Sequence, residues 1–167
     1  MKKSTIILNE IKLVGITAIT SNASEMDATT AKIGQTLEQY FGGNLAAQIP
    51  NRKNPGVTYC VYTKYESDEH GQYTYFAGEE VSSFEGISSR FEPLTIPKQV
   101  CAKFNVGPGL MPNICIDAWQ KIWQMEVDDF GGKRAYIADF EIYDERAADY
   151  QNAILDIYIG IKNESNN

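Results

Sequence analysis

The stretch Val57-Thr58-Tyr59-Cys60-Val61-Tyr62-Thr63-Lys64-Tyr65, the turn residues Ser67 to Gly71, and Gln72-Tyr73-Thr74-Tyr75-Phe76-Ala77-Gly78-Glu79-Glu80-Val81 decide the fold. Both arms are rich in aromatic and β-branched residues in alternation, and the Ser-Asp-Glu-His-Gly segment between them has turn chemistry, so the whole reads as a β-hairpin. Upstream, Ile11 to Ile19 has strand composition. Ser24-Glu25-Met26-Asp27 offers a capping residue with an acid three places on, which predicts a helix from about Asp27 to Phe41 that Gly42-Gly43 stops. Met26, Ile33, Leu37 and Tyr40 or Phe41 supply its apolar stripe.

Downstream the order repeats. Phe91 to Val106 reads as a strand broken near Pro97, Asn113 to Glu126 as a helix, and Lys133 to Tyr143 with Ile154 to Lys162 as a second hairpin. A unit of about eighty residues hides one apolar sheet face poorly, so the two units should associate about a pseudo-twofold axis. The expected architecture is α+β: two pseudo-symmetric β-α-β-β repeats, about 6–82 and about 91–162, whose antiparallel sheets enclose a central ligand groove in one domain spanning 1–167. The polar tail Asn163 to Asn167 is expected to fray.

Charge narrows the function classes. Fifteen basic residues stand against 22 acidic ones, a net charge of −7 without a basic run, which argues against direct nucleic-acid binding and favours cationic or neutral partners. The apolar stretch Ile6 to Leu8 breaks at Asn9-Glu10, too short for a signal peptide, and no apolar run reaches membrane-spanning length, so a cytoplasmic protein is expected. Cys60, Cys101 and Cys115 lie far apart and read as reduced thiols rather than a disulfide or zinc framework. The single histidine, His70, falls in the hairpin turn, which removes histidine-based triads and multi-histidine metal sites.

One carboxylate stands out. In Tyr136-Ile137-Ala138-Asp139-Phe140-Glu141-Ile142-Tyr143, alternation puts Ile137, Asp139, Glu141 and Tyr143 on one face and leaves Ala138, Phe140 and Ile142 as core. An ionised glutamate among apolar neighbours costs several kcal/mol to bury unless something offsets it. Glu141 is therefore solvent-facing, paired with a lysine, or set in a ligand pocket with Tyr143. Trp119 and Trp123 are four residues apart and share a helical face, either as core or as a stacking wall. Tyr59, Tyr62, Tyr65, Tyr73 and Tyr75 crowd the first hairpin. Tyr59 and Tyr65 share one face with Tyr62 opposite, and Tyr73 and Tyr75 share another. Of these, Tyr59, Tyr62 and Tyr75 are candidate pocket residues.

In order and spacing, the chain resembles the GyrI-like (gyrase-inhibitor-like) effector-binding domains, also found attached to DNA-binding domains in some AraC- and MerR-type regulators. The signatures are Gly71-Gln72-Tyr73-Thr74-Tyr75 with Gly78-Glu79-Glu80-Val81, Leu94-Thr95-Ile96-Pro97 before Cys101-Ala102-Lys103-Phe104, Trp119, Phe140-Glu141-Ile142-Tyr143, and Asp156-Ile157-Tyr158-Ile159-Gly160-Ile161-Lys162. They span about Ile11 to Lys162. The resemblance implies Glu141 at the floor of the groove and Phe104 in its wall. Two departures are a filled chain without a helix-turn-helix, which would remove direct DNA contact, and a long loop from Gly42 to Gly56 expected to reshape one wall.

Two functions fit an aromatic box with one acid. Some stand-alone members hydrolyse cyclopropane-bearing DNA alkylators, and the resemblance implies that Glu141 would activate water while a tyrosine such as Tyr143 donates a proton to the developing phenolate. This cofactor-free, metal-free detoxification is preferred because it needs no output domain. The alternative is non-catalytic binding of lipophilic or cationic aromatic molecules, for sequestration or for regulation through a protein such as gyrase. A third reading, an adaptor, requires a groove filled by its own side chains and Glu141 bridged to a lysine. Exposed strand edges allow a monomer or a weak homodimer.

Overall fold

The computed structural model describes residues 1–162, and the tail Asn163 to Asn167 lies outside the described residues. The strands are β1 (Lys2–Leu8), β2 (Ile11–Ser21), β3 (Thr58–Thr63), β4 (Gln72–Glu80), β5 (Glu92–Ile96), β6 (Gln99–Gly109), β7 (Ala138–Tyr143) and β8 (Ala153–Ile161). The helices are α1 (Asn22–Glu25), α2 (Ile33–Gly42), α3 (Asn113–Trp123) and α4 (Val127–Phe130). The strands form one antiparallel sheet in the order β1-β6-β8-β7-β3-β4-β2-β5.

That order carries the internal symmetry. Exchanging β3 with β7, β4 with β8, β2 with β6 and β5 with β1 reverses the sequence of strands onto itself. The pseudo-twofold axis therefore passes through the β3·β7 ladder, where Cys60 faces Glu141 and Val61 faces Phe140. Each half lends a strand to the other: β1 precedes β2 but pairs with β6, while β5 precedes β6 but pairs with β2. Pro97 separates β5 from β6 because it has no N–H to continue a ladder.

Both faces of the sheet are covered. On one face, α2 packs over Val14, Tyr75 and Ala77, and α3 packs over Phe104, Leu155 and Ile157. On the other, Val61, Phe76 and Phe140 of the central strands form one cluster with Ile96 from β5 and with Ile6 and Leu8 from β1. Both edge strands thus reach the cluster beneath the centre, so the sheet curls around it.

The first helix differs from its expected course. Ser21, not Ser24, is the cap, accepting a hydrogen bond from the Ser24 N–H, and the short α1 stops at Glu25. Asp27 then accepts from both the backbone and the hydroxyl of Thr29, a local turn that competes with helix, and α2 begins only at Ile33. Met26 is 82% exposed rather than part of the buried stripe, and Tyr40, not Phe41, is the buried aromatic. The loop from Gly42 to Gly56 also departs from expectation: Leu45 and Ile49 anchor it to the α2-side core, and no residue of it lines the cavity described below.

Candidate functional site

Where the two helix-side cores meet, the sheet is left uncovered and a cavity of about 490 Å³ opens. Its floor is the centre of the sheet, where Glu141 of β7 lies opposite Cys60 of β3. Ile33 and Leu37 of α2 form one wall, and Cys115, Ile116, Trp119 and Trp123 of α3 form the other. Tyr62 and Tyr143 pack against both cores and so sit at their junction.

Glu141 is only 2% exposed. One carboxylate oxygen, Oε1, accepts hydrogen bonds from the Tyr62 hydroxyl at 2.8 Å and the Trp119 indole N–H at 2.5 Å, while Oε2 accepts from the Tyr143 hydroxyl at 2.5 Å. The Cys115 thiol lies 3.3 Å from that hydroxyl. All three donors are neutral, and among the described residues no lysine, arginine or histidine pairs with Glu141.

Asp139, two residues earlier on the same face, has a different environment. Arg134 bonds it at 2.7 Å, Tyr65 donates to the same oxygen at 2.7 Å, and the Gly160 N–H donates to the other at 2.9 Å. One acid of β7 has its counter-charge in the protein and the other does not.

Aromatic rings surround the unpaired acid. The Tyr62 ring lies 5.5 Å from Tyr73, 5.4 Å from Tyr75 and 4.9 Å from Trp119, all at steep angles. Burial, followed by the negative charge of Glu141, pushes the hydroxyls of Tyr62 and Tyr143 well above the ordinary tyrosine range. They therefore stay protonated and act as donors.

Six expected site residues line this cavity: Glu141, Tyr143, Trp119, Trp123, Tyr62 and Tyr75. Trp119 belongs to the α3-side core as well, whereas Trp123 is 43% exposed at the rim. Two others lie elsewhere. Cys60 and Tyr62 lie on the helix-covered face of the sheet, so Tyr59 must point to the opposite face, where it packs near Phe140 and donates to Glu80 at 3.2 Å. Phe104 is buried in the α3-side core against Phe130. Tyr65, expected opposite Tyr62, also lines the cavity because Lys64, with φ of 51°, breaks the alternation between them.

Sequence reasoning left Cys115, Arg134, Glu25 and Glu69 out of the site, and all four line it. Cys115 was within reach, since it lies one helical turn before Trp119. The other three arrive through loops and helix ends whose course no periodicity specifies.

None of the cysteines is set up as a nucleophile. Burial, then a nearby carboxylate, pushes Cys101 up to about 12 and raises Cys60 and Cys115 further. Native protein at pH 8 is therefore expected to leave a disulfide thiol reagent unreacted, with all three thiols released in guanidinium. Rapid native labelling of Cys115, the one bordering the cavity, would contradict this.

Residues 6–161 match the family described as Cass2, integron-associated effector binding protein. YobU of Bacillus subtilis (strain 168), named as a candidate transcriptional regulator, is 26% identical over 151 residues, covering 90% of this chain and 92% of its own. An integron cassette protein from the mobile metagenome of Vibrio cholerae superposes with a TM-score of 0.75 at 28% identity, covering 96% of this chain and 95% of its own. SAV2435, solved bound to tetraphenylphosphonium, superposes with a TM-score of 0.74 at 17% identity, covering 97% of this chain and 94% of its own.

Proposed function

Because the chain belongs to the Cass2 family of integron-associated effector binding proteins, we propose that its cavity binds lipophilic aromatic cations with Glu141 as their counter-charge. The observation that carries this reading is the buried Glu141 carboxylate, held by three neutral donors at an aromatic cavity whose one lining cation among the described residues, Arg134, is paired with Asp139 instead. A buried charge without an opposite charge is unfavourable, and an entering cation offsets that penalty. The surrounding rings add apolar area and cation–π attraction. The tetraphenylphosphonium held by SAV2435 is a ligand of this chemistry on the same fold.

Ring-opening hydrolysis of cyclopropane-bearing alkylators draws less support from this geometry. A carboxylate engaged by three donors is a poor acceptor for a water proton, and tyrosines that hold their protons tightly are weak acids. The adaptor reading fares no better, since the cavity is open and Glu141 carries no lysine.

Calorimetric titration with tetraphenylphosphonium, paired with incubation of a catalytic amount of protein with an excess of such an alkylator, tests the proposal. Saturable binding at one equivalent with the alkylator unchanged is the expected result. A product one water heavier, accumulating over many turnovers, would replace the binding role with a hydrolytic one.

A further inference from the structure

We infer that the cavity accepts an elongated dication, with one cationic centre at Glu141 and the second at the rim, where Glu25 and Glu69 stand; this rests on the reading of the cavity as a cation site. Three carboxylates line the cavity, at two levels. Glu141 lies level with Ala77 of β4, through Cys60. Thr20 lies level with Tyr73, four residues further along β4, and its hydroxyl donates to Glu25. Four residues of strand advance about 13 Å. On the cavity face Tyr75 occupies the step between and Tyr73 stands at the rim level, with Tyr62 against both. The floor and the rim are therefore two acidic ends of an aromatic run.

Among the described residues, neither rim acid is paired with a lysine or arginine. Glu25 accepts from Thr20 and from the backbone N–H groups of Lys32, at 2.8 Å, and Ile33, at 3.3 Å. The Lys32 ammonium is directed instead to the Ile19 carbonyl, at 2.9 Å. Glu69 accepts from the Tyr136 hydroxyl, and its imidazole neighbour, His70, is 3.8 Å away with its side chain 84% exposed. Asn22 of α1 donates to the Glu69 carbonyl at 2.9 Å, which ties the hairpin turn to the helix carrying Glu25. After burial, the charges of Glu25 and Glu141 both push the Tyr73 hydroxyl up. Among the described residues the one cation lining the cavity is Arg134, and Asp139 already holds it. A single positive centre at Glu141 leaves the rim unmatched, whereas two centres on a flat apolar body meet both ends.

The test compares the bis-amidine dye DAPI with its single-amidine analogue by fluorescence titration. The parent protein is expected to bind DAPI about tenfold more tightly, with a steeper dependence on salt. In Glu25→Gln/Glu69→Gln that advantage should fall to within about twofold, while Glu141→Gln should weaken both dyes. Glutamine at 25 keeps an acceptor for the start of α2, and thermal melting checks that the variant is folded. Equal affinity of the parent for the two dyes would overturn the dication inference while leaving the cation site intact, and this comparison needs no substitution. If Glu141→Gln binds both dyes as the parent does, the cation site itself is wrong.

Discussion

Glu141→Gln is expected to weaken tetraphenylphosphonium binding by about a hundredfold, or about 2.7 kcal/mol, and to leave a neutral aromatic ligand of similar size within about twofold. The cavity changes little in shape, because an amide replaces a carboxylate of the same size. The amide oxygen can still accept from Tyr62 and Trp119, which both donate to Oε1 in the parent. The new NH₂ faces the Tyr143 oxygen, whose hydroxyl can turn to the Cys115 sulfur 3.3 Å away. Only the charge is lost, so only a charged ligand should register it. Parallel titrations of both ligands against parent and variant measure this directly. An equal loss for the two ligands would mean that Glu141 shapes the cavity rather than neutralising its occupant.

The sequence was legible where structure is local. Alternation and turn chemistry placed the hairpin from Val57 to Val81, and the same signals placed β7 and β8, because strand period and turn composition act over a few residues. β1 escaped notice because an edge strand of mostly exposed side chains has little apolar alternation, and its partner β6 lies far along the chain. The site was legible in part for the same reason. The spacing of Trp119 and Trp123 and the isolation of Glu141 were visible, but the bond joining Trp119 to Glu141 depends on how α3 lies across the sheet. Tyr65 and Tyr136 follow or occupy left-handed backbone, with φ of 51° at Lys64 and 53° at Tyr136, which breaks the alternation on which a sequence reading depends.

Arg134→Met should lower the free energy of unfolding by about 3–5 kcal/mol, measured by urea denaturation. Arg134 is 9% exposed and its partner Asp139 is fully buried at the centre of the sheet. Removing the guanidinium would leave the Asp139 carboxylate with the Tyr65 hydroxyl and the Gly160 N–H but no opposite charge. It would then stand as Glu141 stands now, deep in the sheet with neutral donors only. Glu141 borders a cavity that a cation can enter, whereas Asp139 is committed to an internal partner, so the two acids of β7 respond differently to the loss of charge. Arg134→Met/Asp139→Asn should recover most of the stability, since the amide removes the unmatched charge, and the two substitutions should couple strongly rather than add. If Arg134→Met alone costs less than about 1 kcal/mol, the ion pair is not what holds Asp139 in the sheet. The contrast between a satisfied acid and a waiting one would then lose its structural half.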